Sequence, residues 1–320
     1  MRKRKWIVGS RQSALALTQT QQVLQQLQTV SISHGFDYDF EIRPIVTKGD
    51  QVIDISLSKI GGKGLFVKEI EQSLLDRETD FAIHSMKDMP SINPDGLTIA
   101  CIPLREDPRD AWISSRGTSL QDEPQGALIG TSSLRRACQL LAYRGDLTIH
   151  PLRGNIDTRL KKMDHSKFNG IVLAAAGLRR MGWEQRITEL IPIEICLPAV
   201  GQGALALQCR EDEYELIEFL QLIHHEHTAI AVTAERAFLN MLQGGCQIPI
   251  GGYATVEQTS SSEQRIILTG MVGSLDGRTI LKQQCIGTQA RDLGVQLGVK
   301  LLKQGAEQIL AQAKADAQDE

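Results

Sequence analysis

Two residues of this chain need a chemical explanation: Asp88, in His84-Ser85-Met86-Lys87-Asp88, and Cys246, after Gly244-Gly245. Asp88 falls in a strand-to-helix turn beside Lys87 and close to a predicted arginine cluster. A carboxylate among cations stays ionised and can stabilise a developing cation or shuttle protons. A helix cap or a structural ion pair is the plainer role for the same residue. Cys246 follows a predicted helix end, the negative pole of the dipole, which does not lower a thiol pKa. It is therefore poorly placed as a hydrolytic nucleophile. A covalent attachment point needs only access and a flexible approach, which paired glycines supply. The plainer alternative is a buried cysteine.

The arginines supply a second signal. The chain has a net charge of −3, yet residues 127–190 hold eleven Lys/Arg against five Asp/Glu, so the remainder carries −9. A mildly acidic protein with a basic middle third suggests a site for an anionic ligand. Several of these cations stand where a strand pattern gives way to a helix pattern. Trp6-Ile7-Val8 leads into Gly9-Ser10-Arg11-Gln12-Ser13, with Ser13 as the predicted N-cap. Phe81-Ala82-Ile83 leads into Ser85, Lys87 and Asp88. Leu128-Ile129 leads into Thr131-Ser132-Ser133-Leu134-Arg135-Arg136. Leu147-Thr148-Ile149 leads into Arg153-Gly154-Asn155, with Arg159 one turn on, and Ile171-Val172-Leu173 leads into the segment ending at Arg180. Strands alternating with helices predict an α/β layer fold with largely parallel sheets. In such sheets ligands bind beyond the carboxyl ends of the strands, where helix N-termini present free N–H groups. Arginine's planar fork matches carboxylates bidentately. These five turns together predict a pocket for a ligand with several anionic groups.

The elements that must position these residues fall into three expected domains. At 320 residues the chain exceeds one ordinary core. Pro- and Gly-containing segments at 102–108 and 191–203 read as crossings. They place domain 1 at 1–104 with 199–224 and domain 2, the basic one, at 105–198, with the pocket in a cleft between the two α/β domains. From 225 to 320 the pattern becomes helix, three strands and helix, a small α+β domain 3 that carries Cys246; the polar tail after Ala311 is expected to fray. Gly61-Gly62-Lys63-Gly64-Leu65-Phe66 lacks the P-loop spacing and reads as a loop whose Lys63 and Phe66 can cover a cleft.

Composition excludes several classes. No apolar run is long enough to cross a bilayer, and no signal peptide precedes Ile7, so a cytoplasmic address is expected. The six cysteines make no Cys-x-x-Cys, and no metal site is expected. Aromatic content of 4% and a negative net charge argue against nucleic-acid binding.

Taken in order, these motifs resemble the porphobilinogen deaminase (hydroxymethylbilane synthase) family. The resemblance rests on Arg11-Gln12-Ser13, Gly61 to Phe66, His84 to Asp88, Glu106 to Ala111, Gly130 to Arg136, and Leu152 to Asn155 with Thr158-Arg159. Ala176-Gly177-Leu178 with Arg180, Leu197 to Gly203, Glu235-Arg236 and Gly244 to Ile250 complete the series. It implies two periplasmic-binding-protein-like α/β domains and a small α+β domain. It implies a monomeric transferase that joins four porphobilinogen molecules head-to-tail into hydroxymethylbilane with release of ammonia. The primer is a dipyrromethane cofactor held as a thioether, by position at Cys246. Asp88 corresponds to the residue that holds the pyrrole N–H groups, stabilises positive charge and assists proton transfer. Arg11, Arg135, Arg136, Arg153, Arg159 and Arg180 correspond to carboxylate binders or catalytic helpers. Ser13, Lys63, Ser85, Lys87, Thr131, Ser132, Ser133, Gly154 and Asn155 correspond to secondary contacts, and Phe66 to a neighbour of the cofactor. The rival reading is a non-catalytic two-lobed anion-binding protein, which needs neither Cys246 nor Asp88.

Overall fold

The computed structural model describes residues 4–51, 64–165, 167–244, 248–258 and 264–319. Along the chain run β1 (Arg4–Arg11), a helix Ala14–Ser33, β2 (Tyr38–Ile45), a helical turn Lys48–Gln51 and a helix Lys68–Leu75. β3 (Phe81–Ser85) leads into a 3-10 turn Met86–Asp88, followed by β4 (Leu97–Cys101), β5 (Asp110–Ser114) and β6 (Leu128–Gly130). A helix Leu134–Tyr143, β7 (Thr148–His150), a helix Ile156–Asp164, β8 (Gly170–Ala174), a helix Ala175–Arg180 and β9 (Glu189–Leu190) follow. The chain continues through β10 (Leu205–Arg210), helices Tyr214–Gln221 and Glu226–Met241, β11 (Ile250–Gln258), β12 (Gln264–Gly273) and β13 (Ile280–Gly287). It ends in helices Ala290–Lys303 and Ala306–Asp319.

The first compact unit comprises the chain up to Glu106, apart from residues 54–61, together with Ala204–Ala229. Its sheet has the order β2-β1-β3-β10-β4; β1 is parallel to β2 and β3, while β10 runs antiparallel between β3 and β4. The period-2 alternation of β3 sends Phe81 and Ile83 to one core, with Trp6, Val8 and Leu27, and Ala82 to another, with Ile70 and Leu74. The helix Ala14–Ser33 starts at Ser13, whose side chain accepts from the Ala16 N–H, and buries Thr20, Val23, Leu24 and Leu27 at helical spacing.

The second unit comprises Asp107–Gly203 and the chain from Ile230 onward. Its five-stranded sheet has the order β7-β6-β8-β5-β9, with β6 parallel to β7 and β8. The antiparallel sheet β11-β12-β13 has its own core, including Phe238, Leu268 and Leu297. These two sheets belong to one unit because the helix Leu134–Tyr143 packs on β12 and β13, with Cys138, Leu197 and Met271 buried together. A Cβ at Gly277, in the β12–β13 turn with φ +71°, would come within 2.6 Å of the Cys138 carbonyl. That glycine serves both the turn and the close approach.

The two units divide at Glu106/Asp107 and Gly203/Ala204, in or at the end of the crossing segments 102–108 and 191–203, and the first unit extends to Ala229. The tail after Ala311, expected to fray, is helical to Asp319 and is anchored at its start by the buried Ala306, Leu310 and Ala313.

Candidate functional site

In the first unit the parallel strands β1, β2 and β3 end at one edge of the sheet, which brings Arg11, the segment after Ile45, and Ser85 to Asp88 together. Arg11 is the centre of this group. Its guanidinium donates to both oxygens of Asp50, through Nη2 and, at 3.4 Å, through Nε. It lies 3.8 Å from Asp88 Oδ2 and stacks 4.3 Å over the Phe66 ring. Phe66 packs so closely on Gly49 that a Cβ there would lie 2.2 Å from the ring. Thr47 donates its hydroxyl to Asp50 at 2.7 Å. Burial opposes ionisation of Asp50, but Arg11 and Thr47 hold its carboxyl below the usual range. Arg11 is thus not simply an open cation: much of its charge is committed to Asp50. Asp88 is about one-quarter exposed, at the accessible end of the 3-10 turn.

Ser13 caps its helix, and Ser85 donates to Gln19 at 3.0 Å. Lys87 is half-buried in the same turn as Asp88. Lys63 lies outside the described residues. Beneath the site His84 is fully buried, on the same face as Glu71 and Gln208, which donates to Glu71 at 3.2 Å. Burial pushes the His84 imidazole down to about 4, opposed by the neighbouring Gln208 amide and assisted by the Arg11 charge. A folded-state pKa below the unfolded value of 6.5 means that the unfolded chain binds the extra proton. Stability is therefore present above about pH 6.5 and falls towards pH 4. We expect about 2 kcal/mol of stability to be lost between pH 7 and pH 5 through this residue. Urea unfolding of wild type and His84→Gln at both pH values checks it: the variant should show the shallower dependence.

In the second unit β6, β7 and β8 run parallel, so the turns that follow them share one sheet edge. Thr131 accepts from the Ser133 N–H, and Ser132 donates to the Leu152 carbonyl at 3.0 Å. Asn155 and Ser133 sit at helix N-caps with no side-chain capping bond. Gly154, with φ +114°, presents its carbonyl to Arg159 Nε at 2.7 Å. Arg180 Nη2 donates to the Gly203 carbonyl at 2.7 Å. The half-buried Arg153 guanidinium has no hydrogen bond or ion pair among the described residues, so its cation is unspent.

Arg135 and Arg136 stand differently from the open carboxylate binders that their sequence positions suggest. Both are about 5% exposed and converge on Asp110, which is fully buried. Arg135 Nη1 donates to Asp110 Oδ2 at 2.6 Å and to the Leu197 carbonyl. Arg136 reaches Asp110 Oδ1 with Nε at 3.0 Å and Nη2 at 2.7 Å. Burial opposes the charge on Asp110, yet the two guanidiniums hold its carboxyl far below the normal range. Two cations against one carboxylate leave one positive charge uncompensated inside the group.

Asp50 and Asp110 are the partners of the predicted arginines that sequence reading missed. The strand-to-helix grammar that found five turns also applies after β2, and it points to Thr47 and Asp50. Asp110 lies in a buried strand, where nothing local distinguishes it from a surface carboxylate. Cys246 lies outside the described residues; the other five cysteines are free and buried. Among the described residues no cluster suited to a metal ion occurs, and no helix is long and apolar enough to cross a membrane.

The donor set fits a polycarboxylate cofactor: an unspent guanidinium, a cluster with surplus positive charge and helix N-termini all stand at one sheet edge. Comparison with known proteins agrees. Residues 6–218 match the family profile described as porphobilinogen deaminase, dipyromethane cofactor binding domain, and residues 229–303 match its C-terminal domain. The chain is 52% identical to the porphobilinogen deaminase of Paenibacillus macerans, over 95% of this chain and 99% of that one. It is 55% identical to that of Brevibacillus brevis, over 96% and 97% of the two chains. The counterpart in Bacillus mycoides is 52% identical over 98% of this chain and 100% of its own. Among solved structures, a TRAP periplasmic solute binding protein from Desulfovibrio salexigens matches at TM-score 0.43 and 10% identity, over 71% of this chain and 74% of that one. The chain belongs to the porphobilinogen deaminase family.

Proposed function

We propose that Asp88 is the catalytic carboxylate of this chain and that Cys246 carries the dipyrromethane. The enzyme is a transferase of tetrapyrrole biosynthesis that joins four porphobilinogen molecules into hydroxymethylbilane. Each addition breaks the C–N bond of an aminomethyl group and forms a C–C bond to a pyrrole α-carbon. The proton displaced from that carbon balances the one that leaves with ammonia. When bound, the dipyrromethane supplies the free pyrrole α-carbon from which the chain grows.

The observation that carries this reading is the placement of Asp88. It is an accessible carboxylate at a strand end, held near Arg11 but not buried in a saturated ion pair. From there its oxygens can accept from pyrrole N–H groups, offset the cation that develops as ammonia departs, and take the displaced proton. Arg153 is the carboxylate binder whose guanidinium has no partner among the described residues, and Arg159 and Arg180 are positioned by the Gly154 and Gly203 carbonyls. The Arg135–Arg136 pair contributes surplus charge through guanidiniums that Asp110 orients, while Arg11, oriented by Asp50, stands beside Asp88. Ser13, Lys63, Phe66, Ser85, Lys87, Thr131, Ser132, Ser133, Gly154 and Asn155 form the remaining contacts. The chain acts as a monomer in the cytoplasm, and five free, buried cysteines suit a reducing compartment.

The intact mass of purified protein tests the attachment point. The wild type is expected to exceed its polypeptide mass by one dipyrromethane and to give a pyrrole colour reaction after denaturation. Cys246→Ser is expected to show neither. Pyrrole retained by Cys246→Ser would reject the assignment, and a wild type lacking the added mass when made with substrate present would favour a receptor.

A further inference from the structure

Three consecutive residues, Gly201-Gln202-Gly203, each meet a different part of the second unit. The Gly201 N–H donates to Glu235 Oε2 at 2.7 Å. The Gln202 side-chain amide donates to the Pro108 carbonyl at 2.7 Å and to Asp110 Oδ1 at 2.9 Å. The Gly203 carbonyl accepts from Arg180. Glu235 is fully buried in the helix Glu226–Met241, and its other oxygen accepts from the Ala254 N–H at 2.9 Å.

β11 is an edge strand, so its outward N–H groups need acceptors from elsewhere. The Gly252 N–H finds the Pro198 carbonyl at 2.9 Å. The next outward N–H, that of Ala254, finds the Glu235 carboxylate. The segment 198–201 therefore runs along the open edge of β11, with one side chain completing the ladder. The approach leaves no room for side chains: a Cβ at Gly252 would lie 2.9 Å from Val200, and one at Gly251 3.0 Å from the Leu197 carbonyl. A buried carboxylate bonded to two main-chain N–H groups is a strong, directional link. It joins the segment holding Arg180 and the Asp110 cluster to the helix that ends before residue 246 and the strand that begins after it.

We propose that Glu235 is a positioning residue for the reaction. Its carboxylate fixes the distance between the second unit's arginines and the two elements that bracket Cys246. The proposal rests on Cys246 as the attachment point. A misplacement of about 1 Å away from the chemistry costs on the order of 10²-fold in rate. Loosening this link should therefore lower kcat rather than raise KM.

The test compares Glu235→Gln, Glu235→Asp and Leu301→Ala in the full chain. Gln turns one oxygen into a donor facing an N–H, and Asp is one methylene too short to reach both amides. Leu301 is a fully buried core residue of the same lobe, so its truncation lowers stability without touching the link. Cofactor mass is read first, then kcat and KM for porphobilinogen per loaded chain. Both Glu235 variants are expected to lose roughly tenfold or more in kcat, with KM changed less than about threefold. Leu301→Ala is expected to load fully and keep its kcat. A folded Glu235→Gln that fails to load beside a loading Leu301→Ala also supports the proposal. Should Glu235→Gln not fold, Glu235→Asp is read by the same criterion. Unchanged kcat in the Glu235 variants, or an equal fall in Leu301→Ala, overturns the proposal. Pyrrole retained by Cys246→Ser would instead overturn the attachment reading, whatever the Glu235 variants do.

Discussion

Asp88→Asn is expected to fold like the wild type and to lose two to four orders of magnitude in turnover per cofactor-loaded chain. The substitution keeps the shape of the side chain and removes its charge and its ability to take a proton. Its ion pair with Arg11 is long, at 3.8 Å, and partly exposed. Such pairs contribute only about 0–1 kcal/mol to stability, so the fold should be indifferent. The reaction should not be. A positioned acid–base group supplies about 10²–10⁴-fold, and the same carboxylate also faces the developing cation. The measurement is single-turnover release of ammonia, normalised to the pyrrole content of each preparation, because the cofactor is itself assembled from substrate. Turnover above about a tenth of wild type would remove Asp88 from the catalytic role.

Asp110→Ala should have the opposite signature, a large loss of stability that precedes any kinetic effect. The carboxylate is fully buried and neutralises two guanidiniums that are almost as buried. Its removal leaves two like charges in the interior with their mutual repulsion unscreened. Breaking a buried pair on one side costs about 3–5 kcal/mol. Since two cations depend on this one anion, the upper part of that range is expected. Equilibrium urea unfolding at neutral pH measures it, and a loss below about 1 kcal/mol would show that the cluster relaxes or hydrates. Acidification alone should not reproduce the effect. The folded-state pKa of Asp110 lies far below its ordinary value, so its contribution is fully present above the ordinary carboxylate range and persists well into acid.

Several parts of this protein were legible without coordinates. Ser13 could be read as a cap because the residue type and the following Leu17, Thr20, Val23, Leu24 stripe are local signals. The strand-end turns were legible because a hydrophobic run, a polar turn and a helical period recur in sequence order. The third sheet followed from alternation and from Asp276-Gly277. The motif order also carried the family.

The local pattern determined which residues stand at strand ends and the class of ligand that their charges suit, because helix caps, periodicity and net charge depend on neighbours along the chain. Only the tertiary structure decided which cations are spent and which are open. Arg135, Arg136 and Arg153 read alike in sequence, yet two are buried on Asp110 and one has no partner among the described residues. That difference depends on a carboxylate 25 residues away, just as Glu235 depends on N–H groups of a loop and an edge strand. Long-range pairing of this kind leaves no periodic trace, since each partner is a single residue placed by packing.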